Sequence, residues 1–225
     1  QPYASFAQAL LEPQRYPDLR LYPGGPPRRP YDVTAHTLPL LLGVRAVPVR
    51  GLEPARLVPV REPPPVPRVA PGLTAGTGRA PRIALYKSWA PSMDEGWTRW
   101  VLDQYRIRYD TLHDADVRAG RLAARYDVLV LPSQSPREIR EGRRPGTVPP
   151  EYAGGLGEAG VAALAEFVRA GGTLVALEEA SRFAIEAFGL PLRDVVAGLP
   201  PARFYIPGSI LRLELDPAHP LSAGV

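Results

Sequence analysis

The residues able to do chemistry sit just after four short apolar runs. Lys87, Ser88 and Trp89 follow Arg82-Ile-Ala-Leu-Tyr86. His113, Asp114 and Asp116 follow Tyr109-Asp-Thr-Leu112. Ser133, Gln134 and Ser135 follow Tyr126-Asp-Val-Leu-Val-Leu131, and Glu178, Glu179 and Ser181 follow Thr173-Leu-Val-Ala-Leu177. A carboxylate held beside an imidazole makes a general acid–base pair in which each group tunes the other's pKa, so the candidate catalytic combination is His113 with Glu178 or Glu179. The candidate ligand-binding set is Lys87, Ser88, Trp89, Asp114, Asp116, Ser133 and Gln134. The plainer reading is that these groups cap helices and bond loop amides, and an aspartate at Asp114 or Asp116 serves as an N-cap without any further role. His113-Asp-Ala-Asp116 has a metal-like spacing but lacks a third ligand, since His36 and His219 lie in proline-flanked turns. No metal site is assigned to this chain.

The composition excludes several classes. With no cysteine among 225 residues there is no disulfide framework, no thiolate metal site and no sulfur nucleophile. Lys87 is the only lysine among 27 cationic residues, and the arginines are scattered among acids. Nucleic-acid binding needs cations gathered on one face, so none is expected. The longest apolar run, Leu38 to Val44, is interrupted by Pro39 and Gly43 and is too short to span a bilayer.

The elements that must position the ring follow from periodicity and punctuation. Apolar residues at 3, 6, 7, 10 and 11 predict a helix that Pro13 ends. Leu38 to Val49 supplies one short strand or helix turn. Residues 58–81 carry Pro-Pro-Pro at 63–65 and then Gly72, Gly76 and Gly78, which reads as an extended linker. Beyond it, strands alternate with helices. Asp94 to Tyr105 is a helix whose Trp97, Trp100, Val101 and Tyr105 share one face, read as the inward one, with Ser92 or Asp94 as cap. Ala115 to Ala124 is a second helix. The apolar run ending at Leu131 predicts a strand buried on both faces. Glu158 to Ala170 is the clearest helix, closed by Gly171-Gly172, and Ala180 to Phe188 is the last. Ile210 to Leu215 alternates, as an added strand would. This β-α alternation predicts an open parallel α/β sheet with right-handed crossovers. The expected organisation is an irregular Pro-rich segment at 1–57, the linker at 58–81, and an α/β domain at 82–225.

Residues 82–190 resemble the class I glutamine amidotransferase-like domains, a flavodoxin-like group. In catalytic members of that group, the strand after a Gly-Gly turn ends in a sharp elbow bearing a cysteine. The corresponding stretch here is Gly171-Gly-Thr-Leu-Val-Ala-Leu-Glu-Glu-Ala-Ser181, with Glu178 at the cysteine position. A carboxylate there cannot form the thioester, so the resemblance implies a fold without glutamine hydrolysis. A second resemblance covers more of the chain. Arg15-Tyr-Pro-Asp-Leu19, Tyr22-Pro-Gly-Gly-Pro-Pro27, Tyr86-Lys-Ser-Trp89, Met93-Asp-Glu-Gly-Trp-Thr-Arg-Trp100 and Pro207-Gly-Ser-Ile-Leu211 are similar to the region after the catalytic domain of large bacterial carboxypeptidase A-like zinc peptidases.

This second resemblance implies a piece of a longer, exported protein. Its zinc would sit in an N-terminal peptidase domain outside the chain, held by a His-x-x-Glu pair and a distant histidine. None of His36, His113 and His219 begins such a pair. The expected role is therefore a non-catalytic accessory region, structural or ligand-binding, that packs on the peptidase domain and helps to position a peptide or cell-wall ligand. The alternatives are a stand-alone hydrolase and a carbohydrate- or anion-binding module, both using the strand-end ring. Truncation predicts exposed apolar surface on residues 1–50. A hydrolase predicts that His113, Gln134 and Glu178 converge.

Overall fold

The computed structural model describes residues 3–12, 18–28, 38–49, 79–206, 211–219 and 222. They fall into two compact units, one from within 1–63 and 195–222, the other from within 64–194. Most of the expected linker, residues 58–78, lies outside the described residues.

In the first unit, α1 (Ala4–Leu11) forms where the periodicity places it and ends with Glu12 N donating to Gln8 O at 2.9 Å. None of its residues is buried, and Tyr3 and Phe6 are 77% and 64% exposed. Arg20 and Pro27 form an isolated antiparallel bridge around a tight turn. Glycine is required within that turn, because a Cβ on Gly25 would lie 2.7 Å from the Tyr22 ring. Leu38–Leu41 makes a single helical turn, α2. The sheet strand expected at 210–215 does not form: residues 211–215 carry no strand, and Leu211, Leu213 and Leu215 are exposed. Alternation makes a strand possible, but only an edge to pair with makes one.

The second unit alternates as expected. Its elements are β1 (Ile83–Tyr86), α3 (Met93–Gln104), β2 (Tyr109–Leu112), α4 (Asp114–Arg118), α5 (Leu122–Arg125), β3 (Val128–Leu131), α6 (Pro136–Glu141), α7 (Gly157–Arg169), β4 (Thr173–Ala176) and α8 (Glu179–Phe188). All strand pairs are parallel and the order is β2-β1-β3-β4. This is an open parallel α/β sheet, consistent with a flavodoxin-like fold. The chain leaves β1 toward one edge to make β2, then crosses back to make β3, so the strand order reverses between β1 and β3.

One face of the sheet carries the core. Ala84, Tyr86, Leu129 and Leu131 pack with Val117, Leu122, Leu164, Phe167 and Phe183, all buried. α7 fits closely against β4 because Gly172 has no side chain; a Cβ there would lie 2.3 Å from the Phe167 ring. The other face is less covered. β3 alternates half-buried and buried residues instead of being buried on both sides.

Three expectations need correcting here. Trp97, Trp100, Val101 and Tyr105 do share a helical face, but it points to solvent: Trp97 is 63% and Trp100 53% exposed. The inward face of α3 is polar. Glu95 is buried and pairs with Arg99, which reaches the Tyr109 hydroxyl at 3.4 Å and Thr111 Oγ1 at 3.2 Å on β2. Helical spacing identifies a stripe without saying which side the sheet lies on. The helix expected at 115–124 is two, broken at Gly120 and Arg121, whose φ values of +71° and +53° end any right-handed helix. β3, expected to be buried on both faces, is fully buried on one: Leu129 and Leu131 are buried, whereas Val128 and Val130 are half-buried.

Among the described residues no helix is long and apolar enough to cross a membrane.

Candidate functional site

The carboxyl ends of β1 and β3 flank the reversal in strand order, the usual ligand crevice of an open α/β sheet. A cleft of about 390 Å³ lies there. Lys87, Ser88 and Trp89 line it after β1, and Pro132 and Gln134 line it after β3. Four of the seven candidate binding residues therefore meet in one place: Lys87, Ser88, Trp89 and Gln134.

Local chemistry holds the walls. Ser88 Oγ donates to Ala90 O at 3.0 Å, and Gln134 Nε2 donates to the same carbonyl at 3.4 Å, which fastens the loop after β1 to the loop after β3. Ser92 caps α3 by accepting from Glu95 N at 3.1 Å, while its own hydroxyl donates to Ser133 O at 3.1 Å. Ser88 and Gln134 are buried and Lys87 is exposed. The cleft thus offers Tyr86 and Pro132, three buried polar groups in Ser88, Glu95 and Gln134, and a cation at its edge.

Trp89 forms one wall and is half-buried. His113 stacks on its face, with ring centroids 3.9 Å apart, and Tyr152 meets it edge-on at 4.6 Å. His113 Nδ1 donates to Lys87 O at 2.8 Å, which fixes the tautomer with Nε2 as the lone-pair nitrogen in the neutral ring. His113 is the N-cap of α4, and its amide donates to Asp116 Oδ2 at 2.9 Å. Asp116 therefore serves the backbone.

Asp114 is buried beneath this wall. Tyr86 donates its hydroxyl to Asp114 Oδ1 at 2.6 Å, and Oδ2 has no hydrogen-bond partner. Burial pushes the Asp114 carboxyl above its ordinary pKa, opposed by the Tyr86 hydrogen bond and the charge of Arg118. Burial likewise drives the Tyr86 phenol far upward, with the Asp114 charge adding to it. Arg118 donates to Gly155 O and ties α4 to the turn before α7.

Glu178 forms a second feature at the end of β4. It joins β4 to α8 with φ +46° and ψ −114°, a conformation that strains any residue with a side chain. This is a strand–elbow–helix geometry. Its carboxylate is turned back on the chain, with Oε2 accepting from Glu179 N at 2.7 Å and from the Ser133 hydroxyl. Ser181 Oγ donates to Glu178 O at 2.5 Å and closes the elbow. Glu179 is exposed in the first turn of α8.

Among the described residues no hydrogen bond joins His113, Gln134 and Glu178 to one another. Each bonds elsewhere: His113 to Lys87 and Asp116, Gln134 to Ala90, Glu178 to Ser133 and Glu179. Sequence reading missed Tyr152 as part of the Trp89 wall and Tyr86 as the partner of Asp114. Tyr152 comes from a short 3-10 turn between α6 and α7, and nothing in its local sequence marks it. Tyr86 ends a buried strand, and the polar tip of a buried tyrosine is itself a signal that a partner exists. Among the described residues no group of three or more His, Asp or Glu is placed to hold a metal ion. No family model, curated protein or solved structure matches the chain.

Proposed function

We propose that this chain is a non-catalytic accessory region of a zinc-dependent, metallocarboxypeptidase-like protein, built on an amidotransferase-like α/β domain that has lost nucleophilic chemistry. The observation that carries the reading is the elbow at Glu178. A carboxylate occupies the strained position where the resembled catalytic domains carry sulfur, and its Oε2 accepts from the Glu179 amide and the Ser133 hydroxyl. A carboxylate in that place cannot form the thioester that the resembled domains' cysteine forms. The exposed apolar residues of the first fifty positions, among them Tyr3, Phe6, Leu21 and Leu42, support a surface made to be covered. The cleft at the β1/β3 reversal is where such a domain would hold a peptide or cell-wall ligand, with Lys87 facing an acidic group.

In this reading the zinc belongs to a peptidase domain of the parent protein, exported with it. Among the described residues no group of three His, Asp or Glu stands together as a ligand set.

The test compares metal-dependent peptide hydrolysis by the full-length peptidase with and without residues 82–225, at equal zinc content. The expected result is a lower kcat/KM or thermal midpoint without the region. Unchanged activity, specificity and stability overturn the reading, as does turnover of glutamine or peptide by this chain alone.

A further inference from the structure

A second cleft of the α/β unit, about 980 Å³, lies at the opposite end of the sheet, where Ile83 and Tyr109 begin β1 and β2. Five arginines and two aspartates line it. Two of the arginines already have carboxylate partners: Arg82 pairs at 2.9 Å with Asp127, which it shares with Arg79, and Arg99 pairs with Glu95. Both aspartates are engaged by phenols, Asp103 accepting from Tyr109 at 2.9 Å and Asp110 from Tyr126 at 3.1 Å. Arg106, Arg108 and Arg125 remain, and among the described residues none of them has a carboxylate partner.

Two of these three are positioned rather than merely present. Arg125 donates to the Tyr126 hydroxyl at 2.7 Å, and its guanidinium lies 4.9 Å from the centre of that ring. Arg106 sits where α3 terminates, with Arg106 N donating to Asp103 O at 3.0 Å and Ile107 N to Leu102 O at 2.9 Å. That pair of bonds is a helix stop whose left-handed residue is usually glycine. Arg106 holds φ +54° there despite its side chain. A residue with a side chain is uncommon at such a position.

We propose that this basin binds a small, phosphate-bearing ligand through Arg106, Arg108 and Arg125. One guanidinium fork satisfies one carboxylate, whereas a phosphate group presents enough oxygens to engage several forks at once. The volume is that of a small-molecule site and not of a nucleic-acid track. The proposal is independent of the accessory-region reading, since it uses the other end of the sheet.

The experiment is calorimetric titration of the full chain with inorganic pyrophosphate, with citrate as the polycarboxylate control. Pyrophosphate is expected to bind, more weakly as salt is added. Arg108→Gln is expected to weaken it by about ten-fold. Arg106→Gly is expected to weaken it similarly while leaving the thermal midpoint unchanged or higher, because strain is relieved as the ligand contact is lost. Absence of pyrophosphate binding, equal binding by the double variant, or a lower midpoint in Arg106→Gly overturns the proposal. Citrate binding as tightly as pyrophosphate overturns the phosphate assignment.

Discussion

The indole of Trp89 and the imidazole of His113 lie face to face, 3.9 Å between centroids and 3° from parallel. Through this stack the loop after β1 leans on the loop after β2, and the bond from His113 Nδ1 to Lys87 O ties the same two loops a second time. The His113 side chain therefore holds the wall of the cleft with one aromatic contact and one hydrogen bond. His113→Ala removes both. It is expected to cost about 1–2 kcal/mol, combining the stacked pair with an exposed hydrogen bond. Urea titration measures this, and an unaltered midpoint would show that the stack contributes nothing.

Trp97 and Trp100 meet edge-on with centroids 5.9 Å apart, outside the core. Trp97→Ser is expected to change stability by no more than about 1 kcal/mol, the scale of an exposed aromatic pair. A loss of about 3–5 kcal/mol, the range for a buried tryptophan, would mean that α3 packs with its other face inward.

Tyr86 supplies the hydrogen bond to a buried carboxyl. The raised pKa of Asp114 means that the folded state holds its proton more tightly than the unfolded chain. Its contribution is thus fully present below the ordinary carboxylate range and is lost as pH rises through the folded value. Tyr86→Phe removes the donor that offsets this. Its cost is expected to be about 1–3 kcal/mol at neutral pH and smaller near about pH 3. A pH-independent cost, read from denaturation at several pH values, would refute the assignment.

Asp127 behaves in the opposite sense. Hydrogen bonds from Arg79 and then Arg82 hold its carboxyl well below the ordinary range. The folded state therefore releases this proton more readily than the unfolded chain. Its stabilisation is present above about pH 4 and disappears as pH falls through the folded value. Asp127→Asn should flatten the acid limb of the stability curve. An acid limb identical to the wild type would rule out this pairing as its source.

At the elbow, Glu178→Ala and Glu178→Gly lose the same carboxylate contacts but differ in strain. The glycine variant is expected to be more stable than the alanine variant by about 1 kcal/mol, because only glycine holds φ +46° without cost. Equal midpoints would show that the elbow relaxes when the carboxylate is removed.

Much of the α/β unit was legible in the residues alone. The four apolar runs became the four strands, Ser92 became the cap of α3, and Gly171 with Gly172 closed α7. These are local properties, since hydrophobic period, cap chemistry and tolerance of positive φ act within a few residues. Strand order and the covering of each face were not legible, because they depend on which distant segments pair. Trp97 and Trp100 show this: their spacing marked a face of α3, but only the sheet's position on the Glu95–Arg99 side turned that face to solvent. The candidate site divides in the same way. The sequence by itself determined that a polar ring follows the strands and that no thiol is available. Tertiary structure decided that Lys87, Ser88, Trp89 and Gln134 share a cleft, while His113 and Glu178 are occupied elsewhere. The order β2-β1-β3-β4 brings the ends of β1 and β3 together, and no periodicity within either strand encodes that neighbour.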